Sequence, residues 1–354
     1  MAVEQRSTLA PTKLRVGVDM KNDGRTHDLT AGQWVDCARY AEECGFESVW
    51  LNEDVGHDSL IVLALAAQAT SSILIGTAII NVFHRSAMQM AMGIATLDEV
   101  SDGRARIAIS SGHHPWNDLY HGIPIEKPLS RVREYLEFMD KALSGEPFEH
   151  EGAVFHGVRG RLAFRPPRHI PIYVGGTLPG MIQLAGSHAD GLLTNVVPAS
   201  YIAGFAAEHM AQGARNAGRD PSRLELTAIV TCCIDDDPDL ALARAKDTFL
   251  WRQSMNAERL RKTFAPEFHE ELTHLAALAA GGKLEQAKQE ASPELVTSVI
   301  ANGSADQVWR QVGKYFEAGC TRVVLAPYPR DEANVKRMLT ALAPYVSSAT
   351  TARA

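Results

Sequence analysis

Apolar and polar positions along the chain alternate between two periods. Residues 14–19 put Val16 and Val18 on one face, the two-residue period of a strand; residues 31–44 then carry Trp34, Val35, Ala38 and Ala41 as a helical stripe that stops at Gly45. That is one βα unit. Segments 46–51 with 59–71, 73–80 with 86–100, and 104–110 with 129–143 repeat it, and consecutive βα units predict a parallel sheet with right-handed crossovers. The stretch 148–164 interrupts the series, and its Glu151-Gly152 and Arg159-Gly160 turn signals predict a hairpin-like excursion. Strands at 171–175, 189–195, 224–233 and 321–326, with helices at 180–188, 199–217, 304–318 and 334–345, complete eight of each. The count predicts an α/β fold, a (β/α)8 TIM barrel.

Residues 235–302, rich in Ala, Glu, Lys and Gln, read as a helical insertion between strand 7 and helix 7, broken at Gly281-Gly282. Lid, decorative and dimer-forming roles are all open for it. A single barrel domain is expected over 13–346, with 1–12 and 347–354 as flexible tails.

The start of the chain lacks an apolar segment of the signal-peptide kind. The longest apolar run, 60–69, is interrupted by Gln68 and falls short of the roughly 20 residues that span a bilayer. The expectation is a cytoplasmic protein with no membrane segment. A net charge of −7 gives no reason to expect nucleic acid. Cys37, Cys44, Cys232, Cys233 and Cys320 are odd in number and lack CxxC spacing, so they read as small buried hydrophobes rather than a disulfide framework or zinc site.

Barrel enzymes carry their chemistry on the loops that follow the strands. Here those loops hold Asp19, Lys21 and Asn22; Asn52, Glu53, Asp54 and His57; Asn81, His84 and Arg85; and His113, His114, Trp116, Asn117 and Asp118. Titratable groups arriving from different strands mark a candidate site. No metal is expected in it: the first strand ends in Asp19-Met20-Lys21 rather than a His pair, and adjacent His113 and His114 point to opposite faces of an extended chain.

Short motifs add a more specific signal through their order. They are Glu42-x-x-Gly45-Phe46-Glu47-Ser48-Val49-Trp50, Ile75-Gly76-Thr77, residues 97–104, Arg133-x-Tyr135-Leu136, Gly145-Glu146-Pro147, Pro171-Ile172-Tyr173-Val174-Gly175-Gly176, Ala189-Asp190-Gly191 and Asp220-Pro221. Together they resemble the luciferase-like monooxygenase superfamily, in particular its coenzyme F420-dependent oxidoreductase branch. Asn81 adds similarity to the methylenetetrahydromethanopterin reductase group. The resemblance implies hydride transfer between F420 and a small organic substrate, with a side-chain proton relay, in a homodimer. It maps a non-prolyl cis peptide onto Ala78-Ile79 as a backstop to the deazaflavin ring, and cofactor phosphate onto Gly175-Gly176-Thr177. Arg161, Arg165 and Arg168 are either further anion contacts or solvated surface. Asp19, Asn81, Gly112 and Asn117 complete the implied cofactor set.

Two departures from the family pattern direct the catalytic assignment. Glu53-Asp54 stands where many relatives have an acid followed by histidine, and His113 stands where some have an acid. His113 is therefore the proposed proton exchanger, with Asp54 orienting it and Glu53 beside it; the alternative is that His113 turns into the wall and His114 faces the site, because adjacent residues diverge. Two other readings stay open at this point: an FMN-dependent monooxygenase fed by a separate flavin reductase, and a non-catalytic flavin- or F420-binding barrel.

Overall fold

The computed structural model describes residues 14–21, 29–112 and 117–351. Eight parallel strands, β1 (Arg15–Asp19), β2 (Ser48–Leu51), β3 (Leu74–Thr77), β4 (Ala105–Ser110), β5 (Ile172–Gly175), β6 (Gly191–Asn195), β7 (Glu225–Ile234) and β8 (Arg322–Pro327), pair in chain order. β8 returns to β1 in the register Val16↔Val323, which closes the barrel. Eight outer helices follow the strands: α1 (Ala31–Glu43), α2 (Ser59–Ala69), α3 (Ala87–Val100), α4 (Pro128–Leu143), α5 (Pro179–His188), α6 (Ala207–Asn216), α7 (Ala305–Glu317) and α8 (Glu332–Thr351). Their starts are legible in the sequence. Thr30 with Gln33 and Ser304 with Gln307 form capping boxes, and the side chains of Asp58 and Ser86 accept first-turn N–H groups of α2 and α3.

Strand alternation divides the buried side chains between two layers. Val16, Val18, Val49, Ile107, Leu226 and Val323 face the helices, while Trp50, Ala108, Tyr173, Leu193, Ile229 and Val324 fill the barrel itself. Trp50 is the largest of these, and its neighbours are cut to fit it. A Cβ on Gly76 would lie 2.4 Å from the indole, and one on Gly17 would lie 2.3 Å from Ser48 Oγ, the acceptor of the Trp50 Nε1 hydrogen bond.

Below Trp50, at the N-terminal end of the strands, Arg322 is fully buried. It donates to both oxygens of Glu47, to Glu225 Oε2 and to the Tyr173 hydroxyl. Arg15 adds a second contact to Glu225 at 2.7 Å. The foot of the barrel is thus closed by a hydrogen-bonded charge network.

The excursion after α4 is a two-stranded antiparallel hairpin, Phe148–His150 with Val158–Gly160. Glu134 of α4 holds its tip by accepting the N–H groups of Ala153, Val154 and Phe155. The insertion after β7 contains helices Pro238–Thr263, His269–Ala280, Leu284–Glu290 and Pro293–Thr297, and Gly281-Gly282 forms the turn between the second and third. Its helical reading needs one correction: it ends in a strand, Ile300–Gly303, which extends the sheet beside β7 in the register Thr231↔Ile300. That strand and the insertion helices bury a satellite core of Phe249, Leu250, Leu260, Leu275, Leu295 and Ile300 against Val196 and Cys233, at the C-terminal ends of β6 and β7. The last helix runs on to Thr351, past the expected domain end at 346; residues 1–12 lie outside the described residues. All five cysteines are free, four of them buried.

Candidate active site

The C-terminal strand ends converge on a polar mouth. β1 ends in Asp19, a fully buried carboxylate with the Lys21 ammonium 3.8 Å from Oδ2. After β2, the backbone N–H of Glu53 donates to the Ile79 carbonyl at 3.0 Å, joining the second loop to the third.

The Glu53 carboxylate is heavily engaged. Arg85 reaches Oε1 through Nε at 3.0 Å and Oε2 through Nη2 at 2.8 Å, and Ser59 donates its N–H and hydroxyl to Oε2. Asp58 takes a further Arg85 hydrogen at 2.6 Å. Hydrogen bonding to Glu53, despite burial, raises the Arg85 pKa, so the guanidinium stays charged. These bonds make Glu53 an anchor that ties loop 53–59 to the start of α3. Asp54 is half-buried at the same strand end.

The third strand breaks where the family resemblance implied. Ala78-Ile79 is a non-prolyl cis peptide, and the register to β4 slips by one residue between Gly76↔Arg106 and Ile80↔Ile109. Thr77 bridges the gap: its hydroxyl donates to the Ala108 carbonyl at 3.0 Å and accepts the Ala108 N–H at 2.8 Å. A short strand, Ile80–Asn81, then delivers Asn81 to the mouth.

Asn81 meets residues of the fourth loop. Its Nδ2 donates to Asn117 Oδ1 at 2.6 Å, and its Oδ1 accepts the Phe83 N–H at 3.0 Å. Gly112 makes this approach possible. It sits at φ +70, and a Cβ there would lie 2.1 Å from Asn81 Nδ2. Asn117 opens a π turn, Asn117–His121, and is fully buried, yet its Nδ2 has no hydrogen-bond partner among the described residues. A donor of that kind is costly unless a ligand accepts from it. His113 and His114, with Trp116, lie outside the described residues, as does Asn22.

Across the barrel, the double glycine after β5 has two separate jobs. A Cβ on Gly175 would lie 2.6 Å from Ile79 Cγ2, so Gly175 admits the Ile79 side chain; its carbonyl accepts the Ser110 hydroxyl at 2.8 Å. Gly176 is needed by the fold itself. Its N–H is taken by the Leu193 carbonyl, and a Cβ would lie 2.6 Å from Met181 Cβ in the first turn of α5. Thr177 is buried, and its carbonyl accepts the Tyr201 hydroxyl at 2.6 Å. No side chain caps the start of α5. β6 ends in Asn195, whose buried Oδ1 also lacks a partner among the described residues.

Arg165 and Arg168 take no part in the mouth. They pair with Glu146 and Asp102, which follow α4 and α3 at the opposite end of the barrel. Two groups escaped the sequence reading, Asn195 and His121, and His84 entered it only as one polar residue of the third loop. The rings of His84 and His121 stack with centroids 3.6 Å apart and 28° between planes. His84 stood in a polar loop without a motif to mark it, and His121 is separated from the fourth strand by a turn that periodicity does not reveal. Among the described residues no three His, Cys, Asp or Glu side chains group to hold a metal ion.

With this geometry in hand, comparison with known proteins adds a family. The profile of luciferase-like monooxygenases matches residues 9–322. Over 212 residues the chain is 34% identical to a 5,10-methylenetetrahydromethanopterin reductase of Methanolobus tindarius, a match that spans 59% of this chain and 64%, under two thirds, of the relative. The corresponding reductase of Archaeoglobus fulgidus is 27% identical over 325 residues, spanning 88% of this chain and 92% of that one. The solved coenzyme F420 dependent tetrahydromethanopterin reductase from Methanopyrus kandleri superposes with a TM-score of 0.76 at 24% identity, covering 94% of this chain and 99% of that chain.

Proposed function

The chain belongs to the luciferase-like monooxygenase family, and from that premise we propose that it is an F420-dependent oxidoreductase acting on a small organic substrate. The observation that carries this reading is a pair of buried, unpartnered polar atoms, Asn117 Nδ2 and Asn195 Oδ1, on loops around one mouth whose wall Gly175 keeps open for Ile79. A donor and an acceptor left waiting in a protein interior fit a ligand with complementary groups. Asn81 and Asn117 would hold the cofactor's polar edge, with Ile79 behind its ring. Thr177 and the uncapped first turn of α5 would meet its phosphate, since helix N–H groups favour an anion.

When bound, the deazaflavin supplies two-electron hydride chemistry. The protein's own task is to orient it and move a proton. Asp19 and Lys21 place an ion pair at the end of β1 within the same mouth. The proton exchanged with the substrate is assigned to His113, with Asp54 as its orienting carboxylate, while Glu53 and Arg85 fix the loop that carries Asp54.

The homodimer is assigned to the outer face of α2 and α3. Ile61 and Leu65, one helical turn apart, are 64% and 51% exposed, and Met92 of the neighbouring helix is 52% exposed. No helix among the described residues is long and apolar enough to cross a membrane. Titration with F420 and, separately, with FMN tests the cofactor: saturable binding of F420 with turnover of its reduced form is the expected result. Binding of FMN alone would replace this reading with the flavin monooxygenase, and binding without turnover by any reductant would leave a cofactor-binding barrel.

A further inference from the structure

His84 faces a conflict that its protonation state decides. Its Nε2 is 3.1 Å from Asn81 Nδ2 and 3.2 Å from Asn117 Oδ1, a donor and an acceptor already joined to each other at 2.6 Å. When Nε2 carries a lone pair, it accepts the second Asn81 N–H, and the bond between the two asparagines stands. When Nε2 carries a proton, its one N–H donates to Asn117 Oδ1, which then accepts from Asn81 and His84 together, and the second Asn81 N–H loses its acceptor. Both asparagines are buried, so neither turns to water for relief.

The surroundings of His84 select between these states. His121 stacks on one face of the ring, and Arg85 and Glu53 act on it from the start of α3 and the second loop. Burial, then His121, lower the His84 pKa from the ordinary imidazole value; the Asn117 hydrogen bond and Glu53 oppose them, and Arg85 reinforces the lowering. The ring is therefore neutral at neutral pH, and in its Nδ1–H tautomer Nε2 takes the second Asn81 N–H with the asparagine pair intact.

The geometry points to His84 as a positioning residue: its proton sets the hydrogen bonding of the Asn81–Asn117 latch and, through Asn117, the grip of the barrel mouth on the cofactor. This rests on the F420 reading above only for the identity of what the latch grips. The sign follows from the states. Acidification protonates His84, leaves the second Asn81 N–H without an acceptor, loosens the Asn81–Asn117 pair and weakens cofactor binding.

The test is the dissociation constant of F420, read by its own fluorescence, across pH for three proteins. For the wild type, Kd is expected to rise by about tenfold as pH falls below the ordinary imidazole range. His84→Gln, whose amide does not titrate, is expected to lose that dependence. His121→Phe keeps a ring against His84 without its charge and is expected to move the transition to higher pH. A flat wild-type profile, or an unchanged slope in His84→Gln, would overturn the proposal. If F420 fails to bind at any pH, the cofactor reading is lost while the latch remains testable. In that case NMR of the free wild-type protein should show the Asn117 side-chain amide signals following the His84 titration, and Asn117 signals indifferent to it would overturn the latch on its own.

Discussion

Arg322 holds both carboxylate oxygens of Glu47, through Nε at 2.8 Å and Nη2 at 2.9 Å, with its guanidinium sealed inside the foot of the barrel. Such a pair adds little over an apolar filling, but breaking it from one side is costly because the buried charge stays behind. Glu47→Gln is expected to destabilise the protein by about 3 kcal/mol, with Glu225 still neutralising part of the charge. Urea unfolding measures this, and a loss below about 1 kcal/mol would show that the network is readily replaced.

Glu225 makes the same network sensitive to acid. Burial works against its ionisation, but Arg322 and Arg15 outweigh it and hold the carboxyl down at about 2, against an ordinary value of 4.5. A group depressed on folding lends stability above its unfolded pKa and loses it as pH falls through the folded one. Stability is therefore expected to decline from about pH 4.5 towards pH 2, and to decline less in Glu225→Gln. Circular dichroism across that range checks it; identical acid profiles would remove Glu225 from the account.

At the other end of the barrel, Gly112→Ala puts a methyl group where Asn81 now lies and strains a left-handed backbone position. The expected result is a folded protein whose cofactor affinity falls at least about tenfold, the factor that corresponds to 1.4 kcal/mol of lost contact. Wild-type affinity in this variant would mean that the asparagine pair has no part in binding.

These residues also show what was legible in the sequence. The eight βα units were readable because apolar period and helix caps agree locally, as at Thr30 and Ser304, and the cis bond at Ala78-Ile79 came only with the family resemblance. The contacts of Glu53 and Gly176 were not readable, since they are made with Arg85 in the next loop for the first and with Leu193 of the next strand and Met181 of the following helix for the second. The strand Ile300–Gly303 was missed because it is short and follows a run of helices, and only its pairing with β7 makes it a strand. His84 was visible only as a polar loop residue, because its particular contacts are with Asn117 and His121.

The proton assignment has its own test. His113→Ala is expected to lower kcat by about 10² to 10⁴-fold with cofactor affinity nearly intact. Near-normal turnover and an unchanged pH profile in a folded variant would move the role to another group.

For the dimer, Ile61→Glu with Leu65→Lys places charge on the exposed turn of α2. Light scattering is expected to report dimers for the wild type and monomers for the double variant. A monomeric wild type, or a variant that still dimerises, would put the contact elsewhere or nowhere.

The filling of the barrel also bears on the order of events in turnover. Trp50, Tyr173 and Arg322, packed beneath the strand ends, fill the barrel from below and leave the mouth as the way in for ligands among the described residues. Two molecules sharing one doorway queue: the deeper-seated one is first in and last out. On the reading that Ile79 backs the cofactor ring, the cofactor is the deeper of the two, and the expected turnover is sequential and ordered, with the cofactor leading, product departing ahead of it, and a crowd of product molecules at the doorway holding the spent cofactor inside.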